Sequence, residues 1–212
     1  MSGHFITFEG GEGAGKSTQI RELEGFLNSR NKATYCTREP GGTPMAEALR
    51  ELVTSGPTGR WSALEEMLIM YTARSELVRT RIKPKLAEGT WVLSDRFADS
   101  TTVYQGFAGG VSLDRIRQLH DIVLGSFAPD LTIILDVPYQ NGLRRVTKRG
   151  QTISRFEKHP EEFYKKVQSG FLQIADADPD RCVVIDGTLP IEQISKQITQ
   201  LVADKFASEF SS

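Results

Sequence analysis

The chain has 212 residues, 39% hydrophobic and 25% charged, the balance of a globular protein able to bury its own core. Its 26 basic and 27 acidic residues leave a formal net charge of −1, which argues against a broad electrostatic footprint for nucleic acid. No apolar run approaches a membrane span, and the N-terminus lacks the basic flank and apolar core of a secretion signal, so one cytoplasmic domain over residues 1–212 is expected, with no membrane partner.

The first element, Phe5-Ile6-Thr7-Phe8, reads as a strand, and a helical pattern carrying Ile20, Leu23 and Leu27 runs from Lys16 to about Asn28. Between them lies Gly10-Gly11-Glu12-Gly13-Ala14-Gly15-Lys16-Ser17, the G-x-x-x-x-G-K-[ST] spacing of a phosphate-binding loop. Glycines let successive N–H groups converge on a phosphate, and the helix start adds free donors and a positive dipole. Lys16 supplies a point charge for the outer phosphates and Ser17 a hydroxyl for Mg²⁺, so the motif binds a nucleoside triphosphate.

A second strand is expected at 33–37. Thr43-Pro44 reads as the cap and first turn of a short helix carrying Ala46, Leu49, Leu52 and Val53. Ser62 to Glu65 has capping-box spacing and opens a long helix through Tyr71, Arg74 and Val78. Trp91 to Asp95 is a third strand, Leu113 to Val123 a helix, and Leu131 to Leu135 a fourth, strongly apolar strand. Helices at about 140–148 and 161–175 precede a last strand, Cys182 to Ile185, and a final helix carries Ile191, Ile194, Ile198, Leu201 and Val202. Strands alternating with helices, the strands reading as buried on both faces, predict an α/β fold with a doubly wound, mostly parallel five-stranded sheet and helices on both faces. Cys36 and Cys182 both read as small buried hydrophobes in a reducing compartment.

In such a sheet ligands lie at the carboxyl ends of the strands, and Glu12, Arg38, Asp95 and Arg96 are all placed there. Asp95 ends its strand where a nucleotide fold puts the carboxylate that holds Mg²⁺, and Arg96 beside it is a phosphate-binding guanidinium. Asp136, at the end of the fourth strand, is read instead as a helix cap or turn residue before Pro138. Arg38 opens the segment Arg38-Glu39-Pro40-Gly41-Gly42, whose turn leaves backbone exposed for close approach. Arg144, Arg145, Lys148 and Arg149 form a local basic cluster suited to phosphate, and 149–157, polar and carrying Arg149 and Arg155, has the composition of a closing lid, extended to about 160.

The loop from Glu9 to Thr18, the segment Thr-Arg-Glu-Pro-Gly-Gly-Thr at 37–43, Tyr71-Thr72-Ala73-Arg74, Asp95-Arg96-Phe97, Ser100 to Gly106 and Pro129 to Thr132 together resemble the thymidylate kinase family of bacterial type. The matches follow family order from residue 5 to about residue 187. The resemblance implies transfer of the γ-phosphoryl group of ATP to dTMP, giving dTDP and ADP, with Mg²⁺, by a homodimer. It implies that Gly10, Gly11, Glu12, Gly13, Ala14, Gly15, Lys16, Ser17 and Thr18, with Arg145 and Arg149, hold ATP, and that Ser17 and Asp95 organise Mg²⁺. Arg38 and Arg96 would grip the dTMP phosphate, Arg74, Thr101 and Gln105 would contact thymine, and Tyr104 would lie beside the deoxyribose. Lys16, Arg96 and Arg155 would neutralise charge on the transferring group, and Glu12 would orient the acceptor. Gly13 fits the bacterial type, because the eukaryotic type carries its arginine there, a burden that Arg155 would take over.

The chain departs from the family pattern at Ser154, where the lid usually has aspartate, at one extra residue between Gly150 and Arg155, and at Phe107 to Gly110, which lack an arginine. The residue stacking on thymine is Met70 or its neighbour Tyr71. Two other readings are a kinase for another pyrimidine monophosphate such as dUMP, and a slow nucleotide switch; the guanine-binding Asn-Lys-x-Asp of GTPases does not occur.

Overall fold

The computed structural model describes residues 3–148 and 159–210; residues 149–158 of the expected lid, with Arg149 and Arg155, lie outside the described residues. Five strands, β1 (Phe5–Glu9), β2 (Thr34–Arg38), β3 (Trp91–Asp95), β4 (Leu131–Asp136) and β5 (Cys182–Asp186), form one parallel sheet in the order β2-β3-β1-β4-β5. From β1 the chain crosses to edge strand β2, returns to β3 and then passes over β1 to β4 and β5. The connections leaving β1 and β3 therefore run in opposite directions, and the switch point between their carboxyl ends is where a ligand crevice opens. Register aligns the chemistry there: Phe8 lies opposite Asp95, and Arg38 lies opposite Asp95 from the other side. Arg38 is thus the last residue of β2, one step later than expected.

Helices cover both faces. On one, α1 (Lys16–Asn28) and α9 (Ile191–Lys205) pack Leu23, Leu27, Ile194, Ile198 and Val202 against Ile6, Phe8, Leu93 and Ile133. On the other, α3 (Ala63–Leu77) and α6 (Leu113–Leu124) pack Tyr71, Leu77 and Ile116 against Phe5 and Val92. There α8 (Glu161–Ala177) adds Val167 and Phe171 against Ile134. The remaining helices are α2 (Pro44–Thr54), α4 (Lys83–Ala87), α5 (Ala98–Thr101) and α7 (Tyr139–Lys148).

Local chemistry explains several boundaries. Thr43 accepts from the Ala46 N–H to cap α2, and Ser62 with Glu65 makes the expected reciprocal capping box of α3. The α3 helix runs on through a π-helical stretch, Val78–Ile82, into α4. Pro84 lacks an N–H and crowds the preceding turn, which accounts for the widened ladder there.

Three expectations need correction. The strands are buried on both faces only at the centre; β2 and β5, at the two edges, are partly exposed because only one neighbour covers each. Cys36, on edge strand β2, is exposed, whereas Cys182 is buried as expected. Residues 98–108 form α5 and a π-helical continuation, Thr102–Ala108, where no helix was expected. Thr101, Thr102, Val103 and Gly106 are weak helix formers, and the support is tertiary: buried Glu9 at the end of β1 accepts from the N–H groups of Phe97 and Ser100. Among the described residues, no helix is long and apolar enough to cross a membrane.

Candidate active site

The phosphate-binding loop closes over the end of β1. Gly10, at φ 130°, passes the β4 backbone so closely that a Cβ would lie 2.5 Å from the Leu135 carbonyl oxygen. A Cβ on Gly13 would lie 2.2 Å from the Gly142 oxygen, and one on Gly142 2.2 Å from the Glu12 oxygen, so α7 sits backbone against backbone on the loop. Arg145 of α7 reaches the carbonyls of Gly13 at 3.4 Å and Gly187 at 3.2 Å. Thr18 lies in the first turn of α1, its N–H on the Gly15 carbonyl. Lys16 turns back onto the loop, its amine 3.3 Å from the Gly10 oxygen, 3.1 Å from that of Gly11 and 3.9 Å from Asp95 Oδ1. Burial and then the charge of Arg96 press its pKa down, against the pull of Asp95 and Glu12. Ser17 Oγ donates to Asp95 Oδ2 at 2.8 Å, so the hydroxyl and carboxylate expected at a cation meet.

Arg96 follows at once in the left-handed region, φ 74°, a conformation that a side chain with a Cβ enters only under constraint. Its N–H donates to the Phe8 carbonyl. The guanidinium lies across the loop: Nη1 donates to the Gly10 oxygen at 3.0 Å and Ser100 Oγ at 3.1 Å, and Nη2 to Glu12 Oε1 at 2.7 Å and the Tyr104 hydroxyl at 3.2 Å. Burial works against the Glu12 charge, but Arg96 and Lys16 outweigh it and hold the carboxyl below the usual range. Burial pushes the Tyr104 hydroxyl well up, so it remains a neutral donor. Ser100 Oγ in turn donates to Glu9 Oε2 at 2.6 Å. Burial, with the charge of Asp99 nearby, pushes the Glu9 carboxyl up to about 7.

Arg38 is further out. Its Nη2 is 3.0 Å from both carboxylate oxygens of Glu47, and Glu47 Oε1 also accepts the Gly42 N–H at 2.9 Å. Arg50 Nη1 donates to the Pro40 carbonyl at 2.8 Å, tying α2 to the same turn.

Arg74 lies deep below this turn. Its Nε donates to Glu39 Oε2 at 2.7 Å, and Nη2 donates to the Phe97 carbonyl at 3.1 Å and Thr101 Oγ1 at 3.0 Å. Tyr71 is buried with its ring 4.5 Å from the Arg74 guanidinium and its hydroxyl 3.3 Å from His120 Nδ1. His120 Nε2 meets the Phe127 carbonyl, which only accepts, so Nε2 carries the proton and Nδ1 accepts from Tyr71. Met70 is partly buried in the cluster of Val103 and Tyr104. Gln105 donates its amide N–H to Glu66 Oε2 at 2.8 Å. Asp136 accepts from Gln168 of α8 at 2.7 Å, a tie between strand end and helix. An open cleft separates Gly10, Gly11 and Glu12 from the end of β4, Tyr139 and Tyr164.

The structure therefore gathers Glu12, Lys16, Ser17, Asp95, Arg96 and Tyr104 at one point, with Arg74, Thr101 and Gln105 beyond. Sequence reasoning missed the carboxylates that hold these groups: Glu9, Glu39, Glu47 and Glu66. Glu9 and Glu39 lie within singled-out motifs, but no role was read for them because their partners are distant in the chain.

Residues 8–198 match the family model described as thymidylate kinase. The chain belongs to the thymidylate kinase family. The thymidylate kinase of Caulobacter vibrioides is 47% identical over 203 residues, spanning 96% of this chain and 97% of that one. That of Magnetococcus marinus is 42% identical over 210 residues, 99% of this chain and 100% of its own. The crystal structure of thymidylate kinase from Ehrlichia chaffeensis superposes with a TM-score of 0.76 at 33% identity, covering 95% of this chain and 99% of that one. The expected fold is borne out, and as a family member the chain is a phosphotransferase acting on dTMP with ATP as donor.

Proposed function

We propose that this chain, acting as a cytoplasmic homodimer, transfers the γ-phosphoryl group of MgATP to the 5′-phosphate of dTMP, giving ADP and dTDP for dTTP synthesis. The observation that carries this reading is the meeting of Ser17 with Asp95 and of Glu12 with Arg96 at the switch point between β1 and β3. ATP lies on Gly10 to Thr18 under Lys16, with Arg145 at its edge. The acceptor phosphate lies between Arg96 and Arg38, its sugar beside Tyr104, and its base toward Arg74, Thr101 and Gln105. Met70 supplies the apolar contact to the base, and Tyr71 supports Arg74 from beneath.

The acceptor phosphate is already anionic near neutral pH, so no strong general base is needed and Glu12 orients rather than abstracts. Lys16 and Arg96 supply positive charge fixed in advance, which in a partly dry site stabilises the spreading charge of the transferring group. Ser17 and Asp95 fit a hard, oxygen-seeking cation such as Mg²⁺, which when bound supplies further charge neutralisation at the phosphate oxygens. Support for the dimer comes from exposed Leu64 and Leu68 on α3 and Leu113 and Ile122 on α6, two helices packed on each other. dTDP formation from dTMP and MgATP, followed by phosphorus NMR, tests the reading. Turnover is expected in the wild type and loss in Lys16→Ala; turnover maintained in Lys16→Ala contradicts it.

A further inference from the structure

Arg74 is only 2% exposed, and while its Nε and Nη2 are engaged, Nη1 is buried and, among the described residues, without a hydrogen-bond partner. Glu39 Oε1 is likewise buried and, among the described residues, without a partner, so both members of this ion pair keep an atom that no described residue pairs. Buried polar groups are almost always paired, and an unpaired one is costly, which marks the place where a polar ligand atom belongs. Gln105, 1% exposed, lies one turn beyond the Thr101 that Arg74 holds. Its amide is also committed. A carboxylate only accepts, so the contact with Glu66 turns the NH₂ of Gln105 toward Glu66 and its carbonyl oxygen away. Among the described residues, no hydrogen bond is donated to that oxygen.

We propose that Glu39 and Glu66 set the hydrogen-bond polarity of the base pocket, holding Arg74 as donor and Gln105 as acceptor. This rests on the dTMP reading above and on Arg74 and Gln105 facing the base. A donor beside an acceptor complements a pyrimidine whose C4 carbonyl adjoins an N3–H, the imide edge shared by thymine and uracil. Cytosine has the reverse pattern, an amino group beside a bare N3, and leaves both protein groups unpaired. Glu39 and Glu66 touch no substrate atom; they are positioning residues that select base class and are blind to the C5 methyl.

Two selectivity ratios separate this from a merely structural role. Steady-state kcat/KM is measured for dTMP, dUMP and dCMP with MgATP, with folding checked by thermal melting. In Glu66→Gln the residue at 66 both donates and accepts, so the Gln105 amide is free to invert. The dTMP-over-dCMP ratio is expected to fall by about tenfold or more, while dTMP-over-dUMP stays within about twofold. Glu66→Asp, still an acceptor only, is expected to keep the first ratio near wild type. Glu39→Gln should raise KM for dTMP with kcat little changed. If Glu66→Gln does not fold, Gln105→Met removes the acceptor and should lower the same ratio. Ratios that stay fixed, or that fall together, overturn the inference. A wild-type protein inactive on dTMP refutes the functional reading instead.

Discussion

The two ends of the proposed acceptor site are built differently. At the base end, Arg74 and Glu39 are 2% and 5% exposed, and under the proposed function neither leaves the other when substrate binds. At the phosphate end, Arg96 and Glu12 are 15% and 29% exposed, Arg38 and Glu47 54% and 40%, and each arginine is already occupied by a carboxylate where a phosphate is to bind. The base end is preorganised, so its hydrogen bonds form without loss of others. Under the proposed function the phosphate end works by exchange: a dianion offers more acceptors than a carboxylate and competes for guanidiniums that Glu12 and Glu47 already hold. Rigidity and exchange are thus separated along one ligand.

Substitutions can break this contrast. The largest expected effect is on activity at the phosphate end: Arg96→Ala should lower kcat for dTDP formation by about 10²–10³-fold. Near-normal turnover would remove Arg96 from the transfer step. The largest effect on stability belongs to the base end. Glu39→Ala strands a buried guanidinium and should cost about 3–5 kcal/mol in urea unfolding. Glu12→Ala, whose partner keeps contact with solvent and the Gly10 carbonyl, should cost only about 1 kcal/mol. Equal losses would erase the distinction.

Beneath both ends, Glu9 supplies a pH test. Its folded pKa of about 7 lies above the carboxyl's ordinary 4.5, so between those values the folded state holds the extra proton. Stability from this group is therefore full below about pH 4.5 and is lost as pH rises through 7. Melting temperature across pH 5 to 8 should fall less in Glu9→Gln than in wild type; parallel profiles would show that Glu9 is not the group responsible. The smallest effect is expected at the exposed pair: Glu47→Ala should change stability by under about 1 kcal/mol. Its trace should be a raised KM for dTMP, since Glu47 pins the Gly42 turn behind Arg38.

What the sequence disclosed divides along similar lines. The Ser62–Glu65 capping box and the Thr43 cap are local patterns, whose partners lie within a few residues, and both stand as read. The run 98–108 was not legible because Glu9, almost ninety residues earlier, supplies its cap. Nor were the pairs Arg74–Glu39 and Gln105–Glu66, whose members are 35 and 39 residues apart. Cys36 misled because an apolar run alone does not say whether a strand is central or at the edge, which is a property of the sheet order. Motif reading singled out the groups that line the crevice; their tertiary pairing with distant carboxylates required the fold.

The most direct test of this account is a coupled ADP-release assay with MgATP across dTMP, dUMP, dCMP, dGMP and UMP. The expected result is highest kcat/KM for dTMP, with dUMP lower by the worth of one methyl, about 10–200-fold, and dCMP and dGMP lower still. Comparable rates on dTMP and dCMP, or a preference for the purine, would contradict it.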